Sequence, residues 1–327
     1  MRFVFSIGDI NGIGPEIVIK SIERIIKKSK DDFIIVAPYG LIKETAAQLN
    51  SKFNFEHVNS INEISSNSSQ LIIIDQKKYR LDTGKPTKTS GEISFNSIIK
   101  SYDIVKQGLA DAVITAPISK TAWNLAGYNY PGHTELFAEL CNSKNFVMMF
   151  LSKKMNGSLI TIHEPINKVP KLITNKKLER HLKVVKETLT NDLNLKQIKI
   201  AVLGLNPHAG ENGNIGKEEE EIIKPFIDKN SDLLSGPFPS DAFFANRSEK
   251  NYDLVIGMYH DQLLIPFKIM NFTSGVNFTA GLPIVRTSPD HGTAYNIAGK
   301  MIADESSMVE AYKYARKIVI NRKLNSK

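Results

Sequence analysis

GMYHDQLLIPFKIMNFTSGVNFTAGLPIVRTSPDHGTAYNIAGK, Gly257–Lys300, is where the polar chemistry of the chain collects. It follows YDLVI (Tyr252–Ile256), a short β-branched apolar run of the kind that makes a buried strand. His260 and Asp261 are therefore expected just past a strand's C-terminal end. Open α/β sheets hold ligands there, because side chains converge on a crevice where the strands stop. Lys268, Asn277, Arg286, Asp290 and His291 follow, separated by apolar pieces and by Gly and Pro turns.

The same grammar recurs outward from this stretch. Phe3–Ile7 reads as a strand, then GDINGIG as a turn, then a helix entered through Pro15 with Val18, Ile22 and Ile25 on one face. FIIVAP (Phe33–Pro38) and LIIID (Leu71–Asp75) read as strands, and ADAVITAPISK (Ala110–Lys120) as strand, loop and helix. A helix is expected around Ile93–Leu109. FVMMFLS (Phe146–Ser152) and SLITIHEP (Ser158–Pro165) read as neighbouring strands, followed by a long helix from about Leu178 to Leu189. IKIAVLGLNPHAGENG (Ile198–Gly213) contains a buried strand, and Ser240 and Asp241 sit at a helix start. Glu305–Leu324 is a closing helix with Met308, Tyr312, Ala315 and Val319 on one face. Strands alternating with helices imply an α/β fold with a largely parallel sheet covered on both sides.

Two glycine-rich stretches invite a phosphate reading and fail it. Gly12-x-Gly14-x-x is followed by Ile17, and no acidic residue ends a second strand at the right distance, so the dinucleotide fingerprint is incomplete. TGKPTKTSGE (Thr83–Glu92) lacks the GK[ST] ending that places a lysine and a hydroxyl on phosphates and magnesium.

Three of the seven histidines, His163, His208 and His260, share one context: an apolar strand of about five residues, then histidine at or beyond its end. In a parallel sheet such ends gather on one edge. Three imidazoles with an open position make a catalytic divalent-metal site, with Asp261 or Asp241 as ligand or supporting partner. The alternative for each is a hydrogen-bonded histidine in a turn. His57 and His181 are expected to face solvent, and His291 to lie in a turn before a helix, suited to a ribose or adenine and equally to helix capping. His133 and Thr134, in YNYPGHTELFAELC, stand at a glycine turn entering a helix, where backbone N–H groups welcome an anion.

Composition narrows the classes. The formal charge is +8, from 42 Lys and Arg against 34 Asp and Glu. The lysines are scattered over amphipathic helices, and no nucleic-acid-binding motif accompanies them, so a solvated surface is expected rather than a nucleic-acid site. The one cysteine, Cys141, excludes an intramolecular disulfide and a thiolate cluster and reads as a small core residue. No run reaches the length of a membrane span, MRFVFSIGD turns polar too early for a signal peptide, and a cytoplasmic location is expected.

GDINGIGPEI, YPGHTELFA, NPHAGENG, GMYHDQ and NFTAGLPIVRTSPDHGTAYNIAGK, in order over nearly the whole chain, resemble the motifs of the 4-hydroxythreonine-4-phosphate dehydrogenases of pyridoxal phosphate biosynthesis. PDHGTAYNIAG also resembles the adenosine loop of isopropylmalate and isocitrate dehydrogenases, which bind NAD(P) without the Rossmann fingerprint. The resemblance implies a two-domain fold with a cleft, residues 1–127 plus 279–327 forming one α/β domain and 128–278 the other. It implies NAD- or NADP-dependent oxidation of a phosphorylated hydroxyamino acid, then decarboxylation to 3-amino-2-oxopropyl phosphate. Its metal ligands fall on His163, His208 and His260, with zinc, cobalt or magnesium as the ion. Its substrate contacts fall on His133, Thr134, Lys268, Asn277 and Arg286, and its cofactor contacts on His291, Gly292 and Asn296. Asn296 stands where the more distant dehydrogenases carry aspartate. A homodimer with the site at its interface is implied. Lys268 is the candidate for proton transfer, the alternative being a lysine that only holds phosphate or carboxylate. Two other activities stay open: a dehydrogenase of threonate or erythronate 4-phosphate, and a metal-dependent phosphohydrolase.

Overall fold

The computed structural model describes residues 1–52, 54–64, 69–76 and 78–325. They form two compact units, Met1–Ser143 with Leu282–Val319, and Lys144–Gly281 with the chain from Ile320. The break expected at Gly127 falls inside the first unit, because the aromatic stretch beyond it packs there: Tyr128 stacks on Phe95 with ring centroids 3.7 Å apart, and Tyr102 donates to the Leu140 carbonyl.

The first unit runs β1 (Arg2–Ser6), α1 (Gly14–Ile26), β2 (Asp32–Ala37), α2 (Tyr39–Gln48), β3 (Glu56–Val58), β4 (Leu71–Asp75), α3 (Lys88–Lys106), β5 (Ala112–Thr115), α4 (Lys120–Leu125) and α5 (His133–Leu140). The second follows with β6 (Val147–Leu151), β7 (Gly157–Leu159), α6 (Val169–Leu172), α7 (Asn175–Glu187), β8 (Ile200–Leu203), α8 (Lys224–Lys229), β9 (Leu234–Phe238), α9 (Ser240–Ala245), β10 (Leu254–Gly257), α10 (His260–Asn271) and β11 (Val276–Ala280). β12 (Val285–Pro289) returns to the first unit, and α11 (Ser306–Asn325) closes the chain.

In the first unit the strand order is β3-β4-β2-β1-β5-β12, and all pairs are parallel. Helices cover both faces, which is why LIIID and FIIVA read as unbroken apolar runs rather than alternating ones. α3 starts earlier than expected, at Lys88, capped by Thr87 and Ser90 in a reciprocal capping box. Its buried face mixes Ile93, Ile98 and Ile104 with four serines and Gly91, and its first turn, before Ile93, buries only Ser90 and Gly91, so apolar periodicity starts late. Ser97 donates to the Val36 carbonyl at 2.6 Å, and Ser94 accepts from Trp123 Nε1 at 2.9 Å. A Cβ on Gly91 would lie 2.0 Å from the Ala122 carbonyl oxygen, so only glycine lets α3 and α4 approach this closely.

The second unit has the order β11-β6-β7-β10-β8-β9. β7, β10, β8 and β9 are parallel, whereas β6 is antiparallel to both its neighbours, so the expectation of a largely parallel sheet holds for the first unit and only for part of the second. SLITIHEP is a strand only to Leu159, although Ile160 and Thr161 still donate to the Gly257 and Met258 carbonyls. Cys141 is only half buried, at the C-cap of α5. His57 is exposed on β3, stacked on Tyr39.

His181 departs from its expected place in solvent. It is buried, with Nε2 2.9 Å from Ser158 Oγ. Burial first, then the charges of Lys177 and Arg180, push its pKa down to about 3. From pH 6.5 down toward 3 the unfolded chain takes up this proton and the folded chain does not. Stability is therefore expected to fall on acidification by up to about 1.4 kcal/mol per pH unit from this residue. Urea unfolding at pH 7.5 and pH 5.5 checks it: His181→Gln should lose part of the acid sensitivity, and an unchanged pH dependence would remove the assignment.

Candidate active site

β7, β10 and β8 are adjacent and parallel, and each of the three strand-end histidines follows one of them. The strands bring His163 and His260 together, with ring centroids 5.8 Å apart. His260 opens α10, and its Nδ1 lies 2.6 Å from Asp261 Oδ1, a pairing that orients the ring and leaves Nε2 for a ligand. Asp241 is exposed in the first turn of α9. Among the described residues no three His, Cys, Asp or Glu side chains are already gathered for a metal ion.

His208 lies on a run with unusual backbone. His208, Ala209, Gly210, Glu211 and Asn212 all have positive φ, between 43° and 79°. Left-handed backbone costs a non-glycine residue roughly 1–2 kcal/mol, and such outliers gather at functional sites. The segment just before the run is anchored by Glu219, fully buried. Its Oε1 accepts from the Leu205 and Asn206 amides at 2.6 and 2.7 Å, and its Oε2 from Asn206 Nδ2 at 2.9 Å. Gln262 ties the same region together: its Oε1 accepts from the Met258 amide, and its Nε2 donates to the Gly204 carbonyl and to Ser240. Neither residue was singled out by the sequence, although Gln262 stands in GMYHDQ. Lys268 is exposed on α10, and Asn277 lies on β11 with a buried Oδ1 that has no hydrogen-bond partner among the described residues.

The remaining substrate candidates belong to the first unit. Arg286, on β12, is 1% exposed, and both its Nε and one terminal nitrogen donate to Thr115 Oγ1, at 3.1 and 2.7 Å. Its guanidinium carbon lies 5.8 Å from the centre of the Phe137 ring. Burial pulls its pKa down to about 9, opposed by the charge of Glu135, so it stays cationic at neutral pH. His133 and Thr134 open α5 behind Gly132, as expected. His133 is kept neutral by burial and then by Arg286, and among the described residues neither its buried Nε2 nor Glu135 Oε2 has a hydrogen-bond partner. Buried polar groups are nearly always satisfied, so orphaned atoms at His133 and Asn277 mark places for a polar ligand. Thr115 and Glu135 were missed because both look like ordinary strand and helix residues.

His291, Gly292 and Asn296 lie after β12 on an irregular loop, at the C-terminal ends of the parallel strands. The helix expected to follow is a mere turn, because Ala294, Gly299 and Met301 adopt positive φ, and α11 starts only at Ser306. Gly292 and Asn296 are exposed, and a Cβ on Gly292 would meet nothing within 4 Å, so the loop has room for a bound group. No helix among the described residues is long and apolar enough to cross a membrane.

The family model described as pyridoxal phosphate biosynthetic protein PdxA matches residues 29–315. A 4-hydroxythreonine-4-phosphate dehydrogenase from Prosthecochloris aestuarii is 36% identical, over 97% of this chain and 97% of its own. A putative D-threonate 4-phosphate dehydrogenase from Oceanobacillus iheyensis is 37% identical, over 94% of each chain. The 1.25 Å crystal structure of a 4-hydroxythreonine-4-phosphate dehydrogenase from Klebsiella pneumoniae superposes with a TM-score of 0.81 at 33% identity, covering 97% of this chain and 98% of that one.

Proposed function

Since the chain belongs to the PdxA family, we propose that it is an oxidoreductase that dehydrogenates 4-phosphohydroxy-L-threonine in the synthesis of pyridoxine 5'-phosphate, using NAD or NADP and one divalent metal. The observation that carries the reading is the placement of His163, His208 and His260 after three adjacent parallel strands. Their donor set, with Asp261 behind His260, fits zinc, cobalt or another divalent ion.

His291–Asn296 would hold a nicotinamide, which would supply a hydride acceptor for the carbinol carbon as the carbinol hydroxyl gives up its proton. The three imidazoles would hold a divalent ion, which would supply Lewis acidity for that oxidation. The resulting β-keto acid loses carbon dioxide and gains a proton, leaving 3-amino-2-oxopropyl phosphate. Lys268 is assigned the proton transfers. Arg286 suits bidentate recognition of an anionic end of the substrate, and His133 and Thr134 suit phosphate at a helix start.

A homodimer, cytoplasmic, completes the reading. It is supported by Ile265, Ile269 and Phe272, which form one exposed apolar face of α10 beside Lys268. The Oceanobacillus relative favours a second reading, a sugar-acid phosphate as substrate with the same chemistry.

The test is NADH formation from NAD, a divalent metal and 4-phosphohydroxy-L-threonine, beside D-threonate and D-erythronate 4-phosphates and a chelated control. Turnover of the amino acid alone is expected. Turnover of the sugar acids alone would move the substrate, and phosphate release without NAD would replace the reading by a hydrolase. Lys268→Ala is expected to lower kcat by 10²-fold or more. A raised KM with unchanged kcat would leave Lys268 only a binding role.

A further inference from the structure

Asp9 lies in the turn between β1 and α1 and is fully buried. Its Oδ1 accepts from the Asn11 amide at 2.9 Å, and its Oδ2 from Ser90 Oγ at 3.0 Å and from the Tyr295 hydroxyl at 2.9 Å. One carboxylate therefore joins three segments far apart in sequence. Asn11, equally buried, extends the junction: its Nδ2 donates to the Lys85 carbonyl and to Thr87 Oγ1, and its Oδ1 accepts from the Asp82 amide at 2.8 Å. The Ile13 amide donates to the Thr293 carbonyl at 3.0 Å. The glycines of GDINGIG thus serve a different contact from the one a dinucleotide fingerprint would give them. A Cβ on Gly12 would lie 2.7 Å from the Thr293 oxygen, and one on Gly84 3.3 Å from the Tyr295 oxygen.

A buried carboxylate is expensive in free energy unless its hydrogen bonds are made, and aliphatic packing would hold these segments without fixing their register. The loop after β12 has no regular structure to define its shape. Its conformation rests on tertiary bonds, and the bond from Tyr295 lies next to Asn296.

We propose that Asp9 is a positioning residue for the nicotinamide cofactor: through Tyr295 it holds His291–Asn296 in the binding shape, and through Ser90 and Asn11 it sets Asp82–Ser90 against the same loop. This rests on the cofactor reading above. It gives TGKPTKTSGE, which is no phosphate loop by sequence, a role as a buttress of the cofactor's site. Burial holds the Asp9 carboxyl above its usual pKa, offset by the three bonds it accepts.

Tyr295→Phe removes one hydroxyl and leaves the packing in place; Asp9→Asn tests the hub itself. Tyr312→Phe is the control, since its hydroxyl also bonds a buried carboxylate, Asp31, at 2.6 Å, but at the N-terminal end of β2, where the parallel strands begin. NADH affinity by fluorescence titration is expected to weaken about tenfold in Tyr295→Phe, with KM for NAD raised alike and kcat within about twofold. Hydrogen exchange over 291–299 should quicken. Tyr312→Phe should bind NADH as the wild type does. Wild-type affinity in Tyr295→Phe, or an equal loss in Tyr312→Phe, would overturn the proposal while leaving the cofactor reading intact. A wild-type protein that binds neither NADH nor NADPH would remove both.

Discussion

Alanine in place of His260 is expected to lower kcat/KM by about 10³-fold or more and to leave the dialysed protein without its divalent ion. Three neutral nitrogen donors are the fewest that hold a catalytic ion while keeping a position open for substrate. Loss of one leaves two donors, His163 and a histidine on a strained loop. Asp261→Asn should be milder, about 10–100-fold in metal affinity, since it removes only the group 2.6 Å from His260 Nδ1 and not the ligand. The paired readout matters, because a misfolded variant would lose activity without a graded metal affinity. Metal content after dialysis, with the NADH rate titrated against added metal, checks both. Full metal retention with near-normal rates in His260→Ala would sink the site.

The parallel core of the first unit was legible because strands buried on both faces must be apolar throughout, and Phe33–Ala37 and Leu71–Ile74 show it directly. The three strand-end histidines were legible for the same reason, since each follows such a run. What escaped the sequence was polar and buried. Asp9, Thr115, Glu219 and Gln262 act by joining segments remote in the chain, and nothing local separates a buried glutamate at 219 from the exposed ones beside it. His181 misled in the other direction: a lysine-rich helix suggested solvent, but one helical face turns inward and takes its histidine with it. His291 and Gly292 were read as a turn before a helix, and the helix does not follow because Ala294 takes positive φ. Its positive φ belongs to the tertiary setting.

Lysine in place of Arg286 is expected to raise the substrate KM about 10²-fold and to lower stability, though the formal charge is kept. The guanidinium is 1% exposed, and two of its nitrogens are already committed to Thr115 Oγ1. That commitment fixes the plane of the group, and a guanidinium held in one plane suits recognition of a carboxylate or phosphate. A lysine ammonium has no such plane, and satisfying Thr115 would draw it away from a ligand. Methionine should do worse. It removes the charge and the donors together, and leaves the buried Thr115 hydroxyl without the two bonds it accepts from the guanidinium. Thr115→Val separates orientation from charge: the arginine stays, its aim is lost, and KM should rise about tenfold with kcat nearly unchanged. Steady-state kinetics with urea unfolding for the three variants decides the matter. If Arg286→Lys unfolds at wild-type urea and keeps its KM, Arg286 supports only the fold, and the anionic end of the substrate is held elsewhere.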